Sequence, residues 1–192
     1  IPIAERNGQI LRIGDIVLKK VCRFINENRL DEKAGISSVS VNLSGMQCIQ
    51  TEMAEHLVRI IDENGIRHSM IDFEITESYA SSDWDQLYGN MVQMGRYGIN
   101  FALDDYGTGY SNTSKVMRYK YSVIKIDKTM LYDAESNIQA YILLKHTINM
   151  LKDMGMKVLI EGVETQQQSN LAKELGCELI QGFYYARPFS ES

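Results

Sequence analysis

One pattern constrains this chain more than any other: short apolar runs rich in β-branched residues, each stopping at a polar residue, separated by helix-length stretches. The runs are Val39-Ser40-Val41-Asn42, Ile71-Asp72-Phe73-Glu74, Phe101-Ala102-Leu103-Asp104, Val123-Ile124-Lys125-Ile126-Asp127, Val158-Leu159-Ile160-Glu161 and Leu179-Ile180-Gln181. Their length and composition predict buried strands. Between them, apolar residues recur at helical spacing, as in Met53/Leu57/Ile60/Ile61, Leu87/Met91/Met94 and Ile142/Leu143/Ile148/Leu151. A glycine precedes most strands, in Asn64-Gly65-Ile66, Tyr97-Gly98-Ile99, Met154-Gly155-Met156 and Leu175-Gly176-Cys177, where a left-handed helix terminus favours it. Alternating βα units of this kind require parallel strands covered by helices.

Two architectures meet that requirement, a (β/α)8-type barrel and a doubly wound open sheet. About six strands are legible, whereas a complete TIM barrel has eight in roughly 250 residues. At 192 residues the chain falls short by roughly 60, about what two strands and their connections need. The count favours an α/β barrel lacking its first strands, with a complete open sheet as the alternative. One domain is expected over residues 1–192, since the chain is 44% hydrophobic and no Pro-rich linker or low-complexity tract interrupts it. The opening Ile1-Pro2-Ile3-Ala4-Glu5-Arg6 already reads as structured sequence, which suggests a piece of a longer chain.

Cys22, Cys48 and Cys177 are odd in number, far apart and without a C-x-x-C pair, a pattern that fits a reducing cytosol and excludes a disulfide scaffold. No apolar run approaches a membrane span, so a cytoplasmic domain with no direct membrane insertion is expected, although a full-length parent could be anchored elsewhere. The net charge of −5, with acids and bases interspersed, disfavours nucleic-acid polymers as partners. A small phosphorylated ligand stays admissible where metals or local Lys and Arg reverse the field.

In parallel α/β folds functional residues collect where strands finish, because the βα loops open on that face. Here those positions hold Asn42, Glu74, Asp104, Asp105, Lys125, Asp127, Glu161 and Gln181. Acids converging on one face repel unless a cation sits among them. Oxygen donors without Cys or His suit hard ions, Mg²⁺ or Mn²⁺. At any single position the competing explanation is that Asp and Asn end strands because they favour turns. Glutamate is not a turn residue, yet Glu74 and Glu161 occupy equivalent strand ends, so a shared site explains more.

Three further expectations come from the same face, and a fourth concerns the histidines, which fall in helices or a loop. The Asp105-Tyr106-Gly107-Thr108-Gly109-Tyr110-Ser111 loop could bring backbone N–H groups to a phosphate, or be an ordinary turn. Glu77 either holds that loop or caps the following helix. Lys125, inside an apolar strand and on the same face as Asp127, should pair with the acids, the alternative being a surface snorkel. His56, His68 and His146 have no ligand spacing and are expected at the surface.

Taken in order, Asn42-Leu43-Ser44, Glu74-Ile75-Thr76-Glu77, Asp104-Asp105-Tyr106-Gly107-Thr108-Gly109, Lys125-Ile126-Asp127, Glu161-Gly162-Val163-Glu164-Thr165 and Gln181-Gly182-Phe183-Tyr184 resemble the motif set of EAL-domain cyclic di-GMP phosphodiesterases. The resemblance implies a modified TIM barrel and hydrolysis of cyclic di-GMP to linear pGpG with two divalent cations, Mg²⁺ or Mn²⁺. It implies Asn42, Glu74, Asp104, Asp105 and Glu161 as metal ligands, with Glu161 and Glu77 also counted in the catalytic set beside Lys125. Lys125 would orient or help deprotonate the attacking water. Glu77 and Glu164, with Gly107, Thr108, Gly109 and Asp127, would hold the loop and support the ligands. Gln181, Arg187 and Pro188 would line the nucleotide pocket. The family's Glu-Ala-Leu segment would precede Ile1. A homodimer and upstream sensory or GGDEF domains are implied as well. Two alternatives stay open: a cyclic di-GMP sensor without activity, and a dimeric signalling scaffold using the helix near residues 138–154.

Overall fold

The computed structural model describes residues 1–30, 35–80, 84–108 and 118–188. Gly109, Tyr110 and Ser111 of the glycine loop lie outside the described residues. The chain divides into two compact units, residues 1–102 with 111–119, and residues 103–110 with 120–192. All six expected strands form, and neighbouring strands follow sequence order from β1 to β6.

In the first unit, helices α1 (Pro2–Arg6) and α2 (Gln9–Asn28) precede strand β1 (Val39–Asn42). Short α3 (Gly45–Cys48) and α4 (Met53–Glu63) lead to β2 (Ile71–Thr76), and α5 (Glu77–Ala80) and α6 (Trp84–Gly95) lead to the start of β3 (Asn100–Tyr106). β1 and β2 pair in parallel, with Val39 opposite Ile71 and Asn42 opposite Glu74. The α4 stripe forms as its spacing predicts: Met53, Leu57, Ile60 and Ile61 are all buried. On α2 the stripe Leu18, Cys22 and Ile25 is buried in the same way. Phe73 and Phe101, from β2 and β3, meet with ring centroids 6.0 Å apart, a geometry that adds to burial.

In the second unit, the end of β3 is followed by β4 (Val123–Ile126), α7 (Lys128–Ser136), α8 (Ile138–Asp153), β5 (Lys157–Ile160), α9 (Gln166–Glu174) and β6 (Leu179–Ile180). β4 pairs with β5, Ile126 opposite Ile160, and β5 with β6, Ile160 opposite Ile180, all parallel. Each helix starts on a designed stop. Asp127 caps α7 through Thr129 N, Asn137 caps α8 through Gln139 N and Ala140 N, and Thr165 caps α9 through Gln168 N. One expectation needs correction: on α8 the buried stripe is Leu144, Ile148 and Leu151, whereas Ile142 and Leu143 are 47% and 61% exposed. Both residues fit a helical period, but the helix turns another face inward.

The glycines before the strands adopt positive φ, from 66° at Gly65 to 84° at Gly98, as a left-handed terminus requires. Among the expected surface histidines, His56 and His146 are exposed and His68 is half-buried, its ring edge-on to Tyr97.

Candidate functional site

The second unit levels its strand ends by backbone hydrogen bonds. Asp127 N donates to Tyr106 O, Glu161 N to Ile126 O, and Gln181 N to Ile160 O, at 3.2, 3.1 and 2.9 Å. That register sets the side chains just past β3, β4, β5 and β6 on one rim.

Lys125 lies at the centre of the rim, 7% exposed. Its Nζ is 3.0 Å from Asp104 Oδ1 and 2.8 Å from Glu161 Oε1. The expected pairing is present and the snorkel is not, because an ammonium this deep requires carboxylates beside it. Asp104 Oδ1 also accepts from Asp105 N at 3.1 Å. Asp105 itself adopts φ 55°, a left-handed conformation that costs a non-glycine residue about 1 kcal/mol or more and collects at functional sites. Burial, then the charges of Asp104 and Asp127, hold the Asp105 carboxyl above its ordinary range against the opposing pull of Lys125.

Asp127 has two neighbours to serve. Its carboxylate caps α7 through Thr129 N at 2.9 Å, and it also contributes to the field at Asp105. Alongside runs a cavity of about 390 Å³ lined by Asp105, Asp127, Lys128, Glu161, Gly162, Glu164, Gln181, Gly182 and Phe183. Gly182 is there because nothing larger fits: a Cβ would lie 2.0 Å from the Val163 carbonyl oxygen. At Gly107, whose φ is 100°, a Cβ would lie 2.2 Å from Met130 Sδ.

Of the expected pocket residues, Gln181 lines this cavity and Arg187 and Pro188 do not. Both are exposed, and Arg187 stacks over the Phe183 ring with its guanidinium carbon 5.0 Å from the centroid. Phe183 and Lys128 line the cavity without having been singled out in the sequence. A place directly after Gln181-Gly182 in a strand-end motif was the available signal for the first. For Lys128 there was none, because a lysine opening a helix is usually a solvated side chain.

The first unit carries its own part of the motif set. Asn42 ends β1 directly opposite Glu74, which lies two residues before the end of β2 because that strand runs on to Thr76, and Leu43 N donates to Glu74 O at 2.8 Å. Glu74 is 8% exposed. Glu77 is the first residue of α5 and is 3% exposed, the position expected of a helix-capping acid but buried more deeply than a surface cap.

Divalent ions fit the second unit's donors on physical grounds. Carboxylate oxygens of Asp104, Asp105 and Glu161 lie within 4.8 Å of one another, and three negative charges face the single ammonium of Lys125. The cavity wall is likewise four acids, Asp105, Asp127, Glu161 and Glu164, against Lys128. A phosphodiester anion is repelled by such a wall unless cations intervene, and an all-oxygen donor set matches Mg²⁺ or Mn²⁺.

Comparison with known proteins agrees with the motif reading. The chain is 30% identical over 188 residues to the bifunctional diguanylate cyclase/cyclic di-GMP phosphodiesterase MucR of Pseudomonas aeruginosa, covering 98% of this chain and 27% of that protein. It is 28% identical over 188 residues to the cyclic di-GMP phosphodiesterase NbdA of the same organism, covering 98% of this chain and 24% of that protein. The chain thus spans about a quarter of the length of these curated relatives. Among solved structures, the PaMucR phosphodiesterase in complex with c-di-GMP superposes with a TM-score of 0.89 at 29% identity, covering 98% of this chain and 76% of that one. The six-stranded α/β arrangement is therefore the barrel plan of that structure, as the strand count anticipated. With the EAL domain pattern matched across residues 1–188, this chain belongs to the EAL domain family.

Proposed function

We propose that this domain hydrolyses cyclic di-GMP to linear pGpG with two divalent cations, Mg²⁺ or Mn²⁺. The observation that carries the reading is the buried Lys125 ammonium clasped by Asp104 and Glu161 at 3.0 and 2.8 Å in an EAL domain. The names of the relatives, two cyclic di-GMP phosphodiesterases, and the c-di-GMP complex of the structural neighbour supply the substrate.

Bound between Asp104, Asp105 and Glu161, divalent ions would lower the pKa of water and offset the charge of the phosphodiester. The family motif assigns Asn42 and Glu74 to the same ions, and that assignment is part of the proposal. Lys125 donates to one oxygen each of Asp104 and Glu161, fixing both carboxylates and leaving an ammonium proton for the attacking water. Gln181 offers an amide and Phe183 a ring face to a guanine base at the cavity wall. Glu77 and Glu164 support the loop and the ligand turn. The exposed Ile138, Ile142 and Leu143 of α8 favour self-association of the domain through that helix.

The full-length domain incubated with cyclic di-GMP and either Mg²⁺ or Mn²⁺ is expected to yield pGpG. A folded sample giving no product with either ion rejects the hydrolytic reading. Nucleotide binding without product would identify a sensor, and absence of binding would leave the signalling scaffold.

A further inference from the structure

We propose that Tyr132 is a positioning residue of this site, its hydroxyl holding the turn that carries Glu161 in register with Lys125; this rests on the hydrolytic reading above and deepens it. Residues 161–165 have no secondary structure of their own, so their backbone groups must find partners elsewhere. Three amides do so within the turn's immediate surroundings: Val163 N donates to Gln181 O at 3.1 Å, and Glu164 N and Thr165 N both donate to Gln168 Oε1 at 2.8 and 3.1 Å. The carbonyl of Gly162, the residue directly after Glu161, is served instead by a side chain from thirty positions earlier. Tyr132 OH donates to it at 2.9 Å.

That bond is one of three ties from a single face of α7. Lys128, one turn before Tyr132, packs so closely on Gly162 that a Cβ there would lie 2.4 Å from Lys128 Cβ, and Gly162 has φ 67°. Glu135, three residues after Tyr132, accepts from Gln168 Nε2 at 2.8 Å, the same Gln168 that holds Glu164 and Thr165. Positions 128, 132 and 135 share one side of a helix. Helix α7 begins at the cap Asp127, two residues beyond Lys125. The helix therefore joins the strand end bearing Lys125 to the turn bearing Glu161, and the 2.8 Å contact between them depends on that docking. Burial, then the charge of Glu164 and a hydrogen bond to its carboxylate, raise the Tyr132 phenol above its ordinary range, so the hydroxyl keeps the proton that it shares between that carboxylate and the Gly162 carbonyl, both in the same turn.

Tyr132→Phe in the full-length domain removes the hydroxyl and keeps the ring. Loss of one such hydrogen bond is expected to speed amide hydrogen exchange across Val163–Thr165 by about five- to tenfold, with exchange in Val158–Ile160 unchanged. With cyclic di-GMP as substrate, kcat should fall by a similar factor, about five- to tenfold, while KM moves less than about twofold. Unchanged exchange in the turn overturns the proposal. Faster exchange with unaltered kcat also overturns it, by showing that the bond serves the turn and not the site. Should the wild-type domain prove inactive, the hydrolytic reading falls by itself, and Mn²⁺ affinity by calorimetry then replaces kcat: weakened binding in Tyr132→Phe supports positioning, and equal binding refutes it.

Discussion

Replacing Lys125 by methionine tests the electrostatic centre of this domain without changing its volume much. The variant removes both ion pairs, at 2.8 and 3.0 Å, from a position where the lysine side chain is 8% exposed and its partners 19% and 15%. Breaking a buried pair by deleting one partner costs about 3–5 kcal/mol, because the remaining charges stay buried. An independent scale gives the same size: two carboxylates within 4.8 Å repel by about 3.5 kcal/mol at an effective dielectric of 20. The expected loss is therefore about 3–5 kcal/mol in EDTA at pH 8. The Asp105 carboxyl is already held above its ordinary range by burial, Asp104 and Asp127, and removing the ammonium takes away the pull of Lys125 that lowers it. Stability linked to Asp105 is present below its unfolded pKa and lost as pH rises through the raised value, so the deficit against wild type shrinks from pH 8 to pH 5. Mn²⁺ at a hundredfold excess over its dissociation constant should return about 2.7 kcal/mol. Urea unfolding of both proteins at the two pH values, with EDTA and with Mn²⁺, measures all of this. A deficit below about 1 kcal/mol at pH 8 in EDTA, the size of an exposed pair, would refute the reasoning.

Three further outcomes follow from the same geometry. Asp104→Asn should reduce cyclic di-GMP turnover to background while circular dichroism stays native, since it removes charge and no core volume; full activity would contradict the ligand assignment. Asp105→Asn should raise the melting temperature in EDTA near neutral pH. The Asp105 carboxyl is held above its ordinary range, so its contribution is present at low pH and lost as pH rises through the raised value; an unchanged or lowered melting temperature across pH 4–8 would count against that charge crowding. Gly182→Ala places a Cβ 2.0 Å from the Val163 carbonyl oxygen and should cost about 1–3 kcal/mol in urea unfolding, whereas a wild-type midpoint would show that the backbone yields.

Local patterns reported the elements faithfully. A run of β-branched residues ending in Asp or Glu forms a strand wherever it falls in the chain, and glycine before it takes a positive φ, because both depend on backbone preferences a few residues wide. The strand-end rule named Asn42, Glu74, Asp104, Asp105, Lys125, Asp127, Glu161 and Gln181, and backbone hydrogen bonds level the ends of β3 to β6 at Asp127, Glu161 and Gln181. Gly109, Tyr110 and Ser111 fall outside the described residues.

Other properties belonged to the fold alone. The inward face of α8 is Leu144, Ile148 and Leu151 and not Ile142 and Leu143, since several faces of that helix are apolar and only the neighbouring elements select one. Lys125 could have faced water or acids, and its two partners stand about twenty residues before and thirty-six after it. Tyr132 looked like any helical tyrosine until α7 lay against Gly162. The sequence by itself determined which segments become strands and helices and which polar residues lie at or within two residues of their ends, because those outcomes are local. Which carboxylate meets the lysine, and which hydroxyl meets the turn, was decided only by tertiary structure, because distance between residues remote in sequence is set by how the elements dock.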